Sequence, residues 1–155
     1  MKGTKFRIYV DTSVIGGCLD DEFSNDSNRL LEAAKKGQIV FVVSEIVVEE
    51  LEEAPDSVKA VFDSIPESSL EVVPRSTAVA ELANAYLVAK VVGPKSRNDA
   101  THVAYATVAR ADAIVSWNFK DIVRLDRMKG YNRVNFEKGY GILEIVSPKE
   151  VVTDD

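Results

Sequence analysis

The sequence predicts an α/β fold built on a mainly parallel five-stranded sheet, and three observations carry that expectation. Short Val- and Ile-rich runs recur at Phe6 to Val10, Ile39 to Val43, Leu70 to Val73, Ala113 to Val115 and Ile142 to Val146. Such runs are too short for buried helices and nearly continuous in their apolar character, as strands covered on both faces are. Between them lie segments of helical period with start signals, and this alternation along 155 residues is the pattern of right-handed βαβ units in a single domain, residues 1–155.

Taken in order, the first run ends Val10-Asp11-Thr12-Ser13. A helix is expected from Asp26 or Ser27, ahead of Leu30 and Leu31, and Ser44 opens another that carries Val47. Pro55-Asp56 starts a third with Val58, Val61 and Phe62; Ser76 or Thr77 starts a fourth with Val79, Leu82, Ala83 and Tyr86. Asn98 reads as the N-cap of a helix with Ala100, Val103, Ala104, Thr107 and Val108 on one side. Gly93-Pro94 marks a break between helices, while Gly130-Tyr131-Asn132 and Gly139-Tyr140-Gly141 read as a loop before the last strand. Thr153, Asp154 and Asp155 form a frayed tail.

Charge and cysteine usage narrow the function. With Lys plus Arg 19 against Asp plus Glu 25, the chain carries −6, which excludes passive adhesion to a nucleic-acid backbone. The average hides an asymmetry: residues 1 to 85 hold 8 basic and 16 acidic side chains, residues 86 to 155 hold 11 and 9. The basic excess sits in Lys90, Lys95, Arg97 and in Lys120, Arg124, Arg127, Lys129, Arg133, Lys138, stretches that read equally as solvated helix faces. One cysteine, Cys18, cannot form an intramolecular disulfide, so a reducing, cytoplasmic setting is expected. No apolar run approaches the roughly 20 residues of a membrane span, and Asp11 interrupts the first apolar stretch too early for a secretory leader.

In an open parallel sheet, ligands collect beyond the carboxyl ends of the strands. Asp11 stands at such an end, where it either caps the next helix or faces a ligand. The helix from Ser44 holds five carboxylates. Glu45, Glu49, Glu52 and Glu53 share one polar face, whereas Glu50 falls on the stripe of Ile46, Val47 and Ala54. A carboxylate aimed inward is costly unless it is paired or binds a metal; the alternative is a bent helix that leaves Glu50 at the rim. Asp99 lies in the first turn of its helix, where it also complements the helix dipole. That helix leads into the strand whose exit is Ser116-Trp117-Asn118. Three carboxylates and an amide converging from separate elements form a hard oxygen set suited to Mg²⁺ or Mn²⁺.

Together, VDTSVI (Val10 to Ile15), SEIVVEEL (Ser44 to Leu51), NDATHVAYA (Asn98 to Ala106) and IVSWNF (Ile114 to Phe119) resemble the PIN-domain family, and within it the VapC-type toxin ribonucleases. The resemblance spans about residues 6 to 147. It implies a three-layer α/β/α fold with strand order 3-2-1-4-5 and metal-dependent hydrolysis of RNA phosphodiesters. Its first acid falls on Asp11, in one block with Ser13; its second, six residues after Ser44, falls on Glu50; its third falls on Asp99. Asn118 stands where the family usually has a fourth acid, and Asp121 is one position off another common family acid, where this chain has Lys120. The resemblance thus names Asp11, Glu50, Asp99 and Asn118 as catalytic, the first three as ligands of Mg²⁺ or Mn²⁺. Ser13, Lys95, Arg97 and Lys120 become RNA contacts, of the kind that position the backbone without reading sequence. It also implies a small antitoxin partner and a homodimer.

Of the remaining residues, His102 reads as a buried, hydrogen-bonded histidine within reach of the site, Trp117 and Phe119 as core aromatics and Cys18 as packing. A haloacid-dehalogenase-like phosphatase would need a second Asp where Ser13 stands, and Asp11 to Gly17 contains no phosphate-cradling glycine loop. The competing reading is a catalytically degenerate PIN domain that serves as an RNA- or protein-binding module, for which Asn118 is the argument.

Overall fold

The computed structural model describes residues 5–151; the expected frayed tail at 153–155 lies outside the described residues. Five strands, β1 (Phe6–Val10), β2 (Ile39–Ser44), β3 (Leu70–Val73), β4 (Ala113–Val115) and β5 (Glu144–Val146), form one sheet of order β3-β2-β1-β4-β5. Every neighbouring pair is parallel, with Tyr9 opposite both Val42 and Ile114. The expected fold class and strand order are both present.

The strands are added outward from β1 to β3 and then on the other side of β1, so right-handed crossovers place the helices of the two halves on opposite faces. The first set is α1 (Thr12–Gly17), α2 (Ser24–Lys35), α3 (Glu45–Glu52) and α4 (Asp56–Asp63), in which α1 packs on α2, α3 and α4. The second is α5 (Thr77–Val88), α6 (Arg97–Val108) and α7 (Leu125–Glu137), with α5 packed on α6 and α7. Val10, Val42, Val43, Ile114 and Val115 between them are fully buried, each such side chain contributing about 1.5–3 kcal/mol of transfer free energy. None of the helices among the described residues is long and apolar enough to cross a membrane.

Two helix starts follow the expected chemistry. The Ser44 hydroxyl accepts from the Val47 N–H at the head of α3, and Ser76 accepts from Val79 at the head of α5. Three expectations are corrected. Asn98 is not a cap: α6 begins one residue earlier, and the Asn98 amide donates instead to Glu50 Oε2 at 2.8 Å. Gly130 to Asn132 is no loop but the middle of α7; a Cβ at Gly130 would stand 2.9 Å from Val91 Cγ1, so the glycine answers a close approach of chain segments rather than a turn. The last strand starts at Glu144 and not at Ile142, because the Asn132 side chain takes both the N–H and the C=O of Leu143, leaving neither for the ladder.

A second close approach sits beside β1. A Cβ at Gly17 would lie 2.6 Å from Ser27 Oγ and 2.8 Å from Trp117 Nε1, two atoms that are hydrogen-bonded to each other at 2.8 Å. Gly17→Ala should therefore lower stability by about 1–3 kcal/mol in urea melts. Gly16→Ala, with nothing within 4 Å of its Cβ, should leave it unchanged or raise it by about 0.4–1 kcal/mol.

Candidate active site

β1 and β4 lie side by side where the strand order switches, and the chain leaving each carries polar residues into a common crevice. Asp11 follows β1. Its backbone caps α1, but its side chain makes no cap bond: Oδ1 accepts from the Ser13 hydroxyl at 2.5 Å and Oδ2 from the Ser116 hydroxyl at 2.6 Å. The carboxylate is thereby turned away from the helix end and held against the exit of β4. Ser116 in turn accepts from the Asn118 N–H, and Ser13 accepts from the Trp117 N–H, which ties the two strand exits together.

Glu50 sits on the inner side of α3, with about a third of its side chain exposed. Oε1 accepts from Thr12 Oγ1 at 2.6 Å and stands 3.3 Å from His102 Nε2; Oε2 accepts from Asn98. Thr12 neighbours Asp11 and Asn98 neighbours Asp99 in the chain, so Glu50 bridges the other two acidic blocks. Burial works to raise its carboxyl pKa, but the bonds from His102, Thr12 and Asn98 outweigh that and bring it down to about 2. Glu50 is therefore ionised throughout the neutral range. Its helix mates Glu45 and Glu49 face outward and pair with Arg75.

Asp99, in the first turn of α6, accepts at Oδ1 from Asn118 Nδ2 at 3.0 Å. Its carboxyl is pushed up from the ordinary value by burial first, then by the like charge of Asp121 and, more weakly, of Asp11. Asp121, one position off the common family acid, is nonetheless buried beside Asp99. The loop that brings it there is an Asn turn, in which Asn118 Oδ1 accepts the N–H groups of Lys120 and Asp121 at 3.1 and 2.9 Å. An Asn at a strand exit with an Asp three residues on was the legible signal. Ser96 Oγ donates to Asp121 Oδ2 at 3.1 Å, and Arg127 Nε lies 3.9 Å from its other oxygen.

Neutral donors dominate this inventory. Among the described residues no Lys or Arg pairs with Asp11, Glu50 or Asp99; hydroxyls and amides hold them, with His102 on Glu50. Nor, among the described residues, do three His, Cys, Asp or Glu side chains stand in a ready-made metal cage. Mg²⁺ rarely needs one, since it commonly binds through one or two carboxylates and keeps several waters. A set of hard oxygens in which Asp121 and Asp11 disfavour the charge on Asp99 fits such a hydrated cation.

Lys95, Arg97 and Lys120 are exposed at the margin of the crevice, next in the chain to Ser96, Asn98 and Asp121 respectively. Trp117 is buried, stacked on Phe23 with centroids 4.2 Å apart, while Phe119 is half exposed. Cys18 is buried and its thiol pushed up to about 11 by burial, an unreactive packing residue. Hollows of about 260 and 340 Å³ lie elsewhere, before β5 and between α3 and α4, and the acids line neither.

Comparison with known proteins agrees with this architecture. A family model described as PIN domain matches residues 7–120. No curated protein matches the chain. Among solved structures, the chain is similar to one in the crystal structure of VapBC2 from Rickettsia felis bound to a DNA fragment from their promoter. The TM-score is 0.55 at 18% identity, covering 74% of this chain and 90% of that one.

The raised Asp99 carboxyl has a measurable sign. A carboxyl pKa higher in the folded than in the unfolded state destabilises the fold at pH above the folded value, and the burden vanishes as pH falls below the unfolded value of about 3.9. Asp99→Asn should thus raise stability at pH 7. In urea melts at stepped pH the gain should shrink toward pH 4.

Proposed function

The chain belongs to the PIN-domain family, and from that premise we propose that it is a metal-dependent endoribonuclease, the toxin of a toxin–antitoxin pair. The observation that carries this reading is the way the acids are held. Asp11, Glu50 and Asp99 come from three different elements and are fixed by neutral donors, so their negative charge remains available to a divalent cation. A fold that only needed these residues for packing would gain by neutralising them.

In this reading Asp11 and Asp99 are the principal ligands of Mg²⁺ or Mn²⁺, with Glu50 beside them. When bound, the cation would supply Lewis acidity, offsetting phosphate charge and making water a stronger nucleophile near neutral pH. Glu50, ionised and fixed at both oxygens, is suited to orient water. Asn118 orients Asp99 through its Nδ2, and its own amide oxygen is already engaged by the Lys120 and Asp121 N–H groups. Asp121 gives the cluster a fourth carboxylate despite the amide at Asn118, which weighs against a degenerate binding module. Lys95, Arg97 and Lys120, with Ser13 deeper in the crevice, would take the RNA phosphates, whose contacts position the backbone.

The resemblance to a chain of a VapBC2 complex supports an antitoxin as partner. Such a protein would neutralise the enzyme by offering an Arg or Lys to the acids. A homodimer and a cytoplasmic location complete the proposal.

The test is cleavage of a labelled structured RNA with added Mg²⁺ or Mn²⁺. Wild type should cut, while EDTA or Asp99→Asn should reduce the rate by at least about 100-fold, the loss expected once a ligand and not merely its support is removed. Mn²⁺ should also raise the melting temperature of wild type, since binding to the folded state alone stabilises it by about 2.7 kcal/mol at 100 times Kd. Equal rates in wild type and variant would sink the assignment in favour of a binding module.

A further inference from the structure

Beneath the acids runs a buried chain of polar side chains that the proposed reaction does not use. Ser44 Oγ lies 2.8 Å from the Tyr9 hydroxyl, the Tyr9 hydroxyl lies 2.7 Å from His102 Nδ1, and His102 Nε2 lies 3.3 Å from Glu50 Oε1. Ser44, Tyr9 and His102 are all buried, at 0, 0 and 3% exposure, so water cannot rescue a misplaced hydrogen. Each donor must find its acceptor within the chain.

Proton accounting then selects one arrangement. Both Glu50 oxygens already act as acceptors, Oε1 from Thr12 and Oε2 from Asn98, so the His102 Nε2 that faces Oε1 carries a hydrogen. Were Nδ1 protonated as well, it would donate to the Tyr9 oxygen. Tyr9 would then donate to Ser44, whose own hydroxyl hydrogen would have no acceptor, because its only other partner among the described residues is the Val47 N–H, itself a donor. A buried orphan donor is disfavoured. With Nδ1 bare, every hydrogen is placed: Ser44 donates to Tyr9, Tyr9 to Nδ1, and Nε2 to Glu50.

We propose that His102, locked in its Nε2–H tautomer by Tyr9 and Ser44, is a positioning residue that fixes the Glu50 carboxylate for RNA cleavage. The proposal rests on the ribonuclease reading for its task, but its geometry stands alone. Ser44 begins the helix that bears Glu50, Tyr9 lies two residues before Asp11 and His102 three after Asp99. One line, two hydrogen bonds and the 3.3 Å approach of His102 Nε2 to Glu50, therefore sets the mutual position of the three elements that present the acids. The directional order matters: a ring in the opposite tautomer would turn a lone pair toward Glu50 and push its carboxylate away.

His102 is the only histidine of the chain, so a long-range ¹H–¹⁵N spectrum of untagged, labelled protein shows one imidazole. At pH 7.5 the wild type should show a bare, acceptor-type Nδ1 and a protonated Nε2. Tyr9→Phe, which removes only the hydroxyl, should give a mixed-tautomer ring. It should also lower kcat for RNA by about 10–100-fold and weaken Mn²⁺ binding, with KM little changed, as loss of a ligand-orienting partner does. His102→Gln, which retains an amide N–H for Glu50, should recover part of the rate lost in His102→Ala, with circular dichroism and melting temperature confirming that each variant is folded. A wild-type ring with Nδ1 protonated overturns the proposal. So does a folded Tyr9→Phe protein with unchanged tautomer and kcat, in which case intact cleavage leaves the ribonuclease reading standing. If the wild type neither binds Mn²⁺ nor cuts RNA, that reading fails; a locked ring released by Tyr9→Phe would still uphold the positioning geometry.

Discussion

Four carboxylates line the carboxyl edge of the sheet with hydroxyl and amide groups as their main partners, and the repulsion of Asp99 by Asp121 and Asp11 is the constraint the rest of the molecule must hold. Asp99 shows the strain most directly, since burial and the charges of Asp121 and Asp11 all disfavour its ionised form. Side chains under such repulsion stay together only if the elements that carry them cannot move apart. The five-stranded sheet supplies that resistance: β1 and β4 are locked in register through Val10 and Val115, and their exits are cross-tied by the Ser116 to Asp11 and Trp117 to Ser13 bonds. An acidic cluster is held at a cost in stability by a core that does not share its chemistry.

The choice of neutral donors explains how the cluster can be ordered and still keep its charge. An arginine on Asp11 would order it equally well, but would occupy the charge that a cation needs. Hydroxyls and amides fix orientation and leave the net charge in place. Arg127 marks the boundary of this rule: it approaches Asp121 at 3.9 Å, on the side of α7, whereas the three acids nearer to α1, α3 and α6 have no such neighbour among the described residues.

Much of this was legible in the sequence. The strands announced themselves as short Val- and Ile-rich runs, although only β2 and β4 are buried nearly throughout while β3 and β5 are partly exposed, and Ser44 and Ser76 because a hydroxyl at a helix start has one dominant use. Glu50 stood out because helical spacing put it on the wrong stripe for an acid, and it is indeed half-buried and hydrogen-bonded at both oxygens. What escaped was decided by contacts between distant segments. Asn98 looks like a cap until α3 brings Glu50 within reach. Gly130 looks like a turn until Val91 is seen against it. Asp121 belongs to no periodic element, and its place depends on the turn closed by Asn118. His102 was expected to be buried and hydrogen-bonded, and it is; which groups it joins could not be read without the parallel pairing of β1 with β2, which sets Tyr9 near Ser44.

Trp117 gives the architecture an optical consequence. It is the chain's only tryptophan, its ring stacked on Phe23 and its Nε1 bonded to Ser27, while its backbone N–H reaches the hydroxyl that holds Asp11. The indole's surroundings are thus coupled to the carboxylate through a single serine. Light emitted by this protein under selective tryptophan excitation comes from one corner of the crevice, and the molecule carries a fluorescent label beside its own acids without any dye being attached.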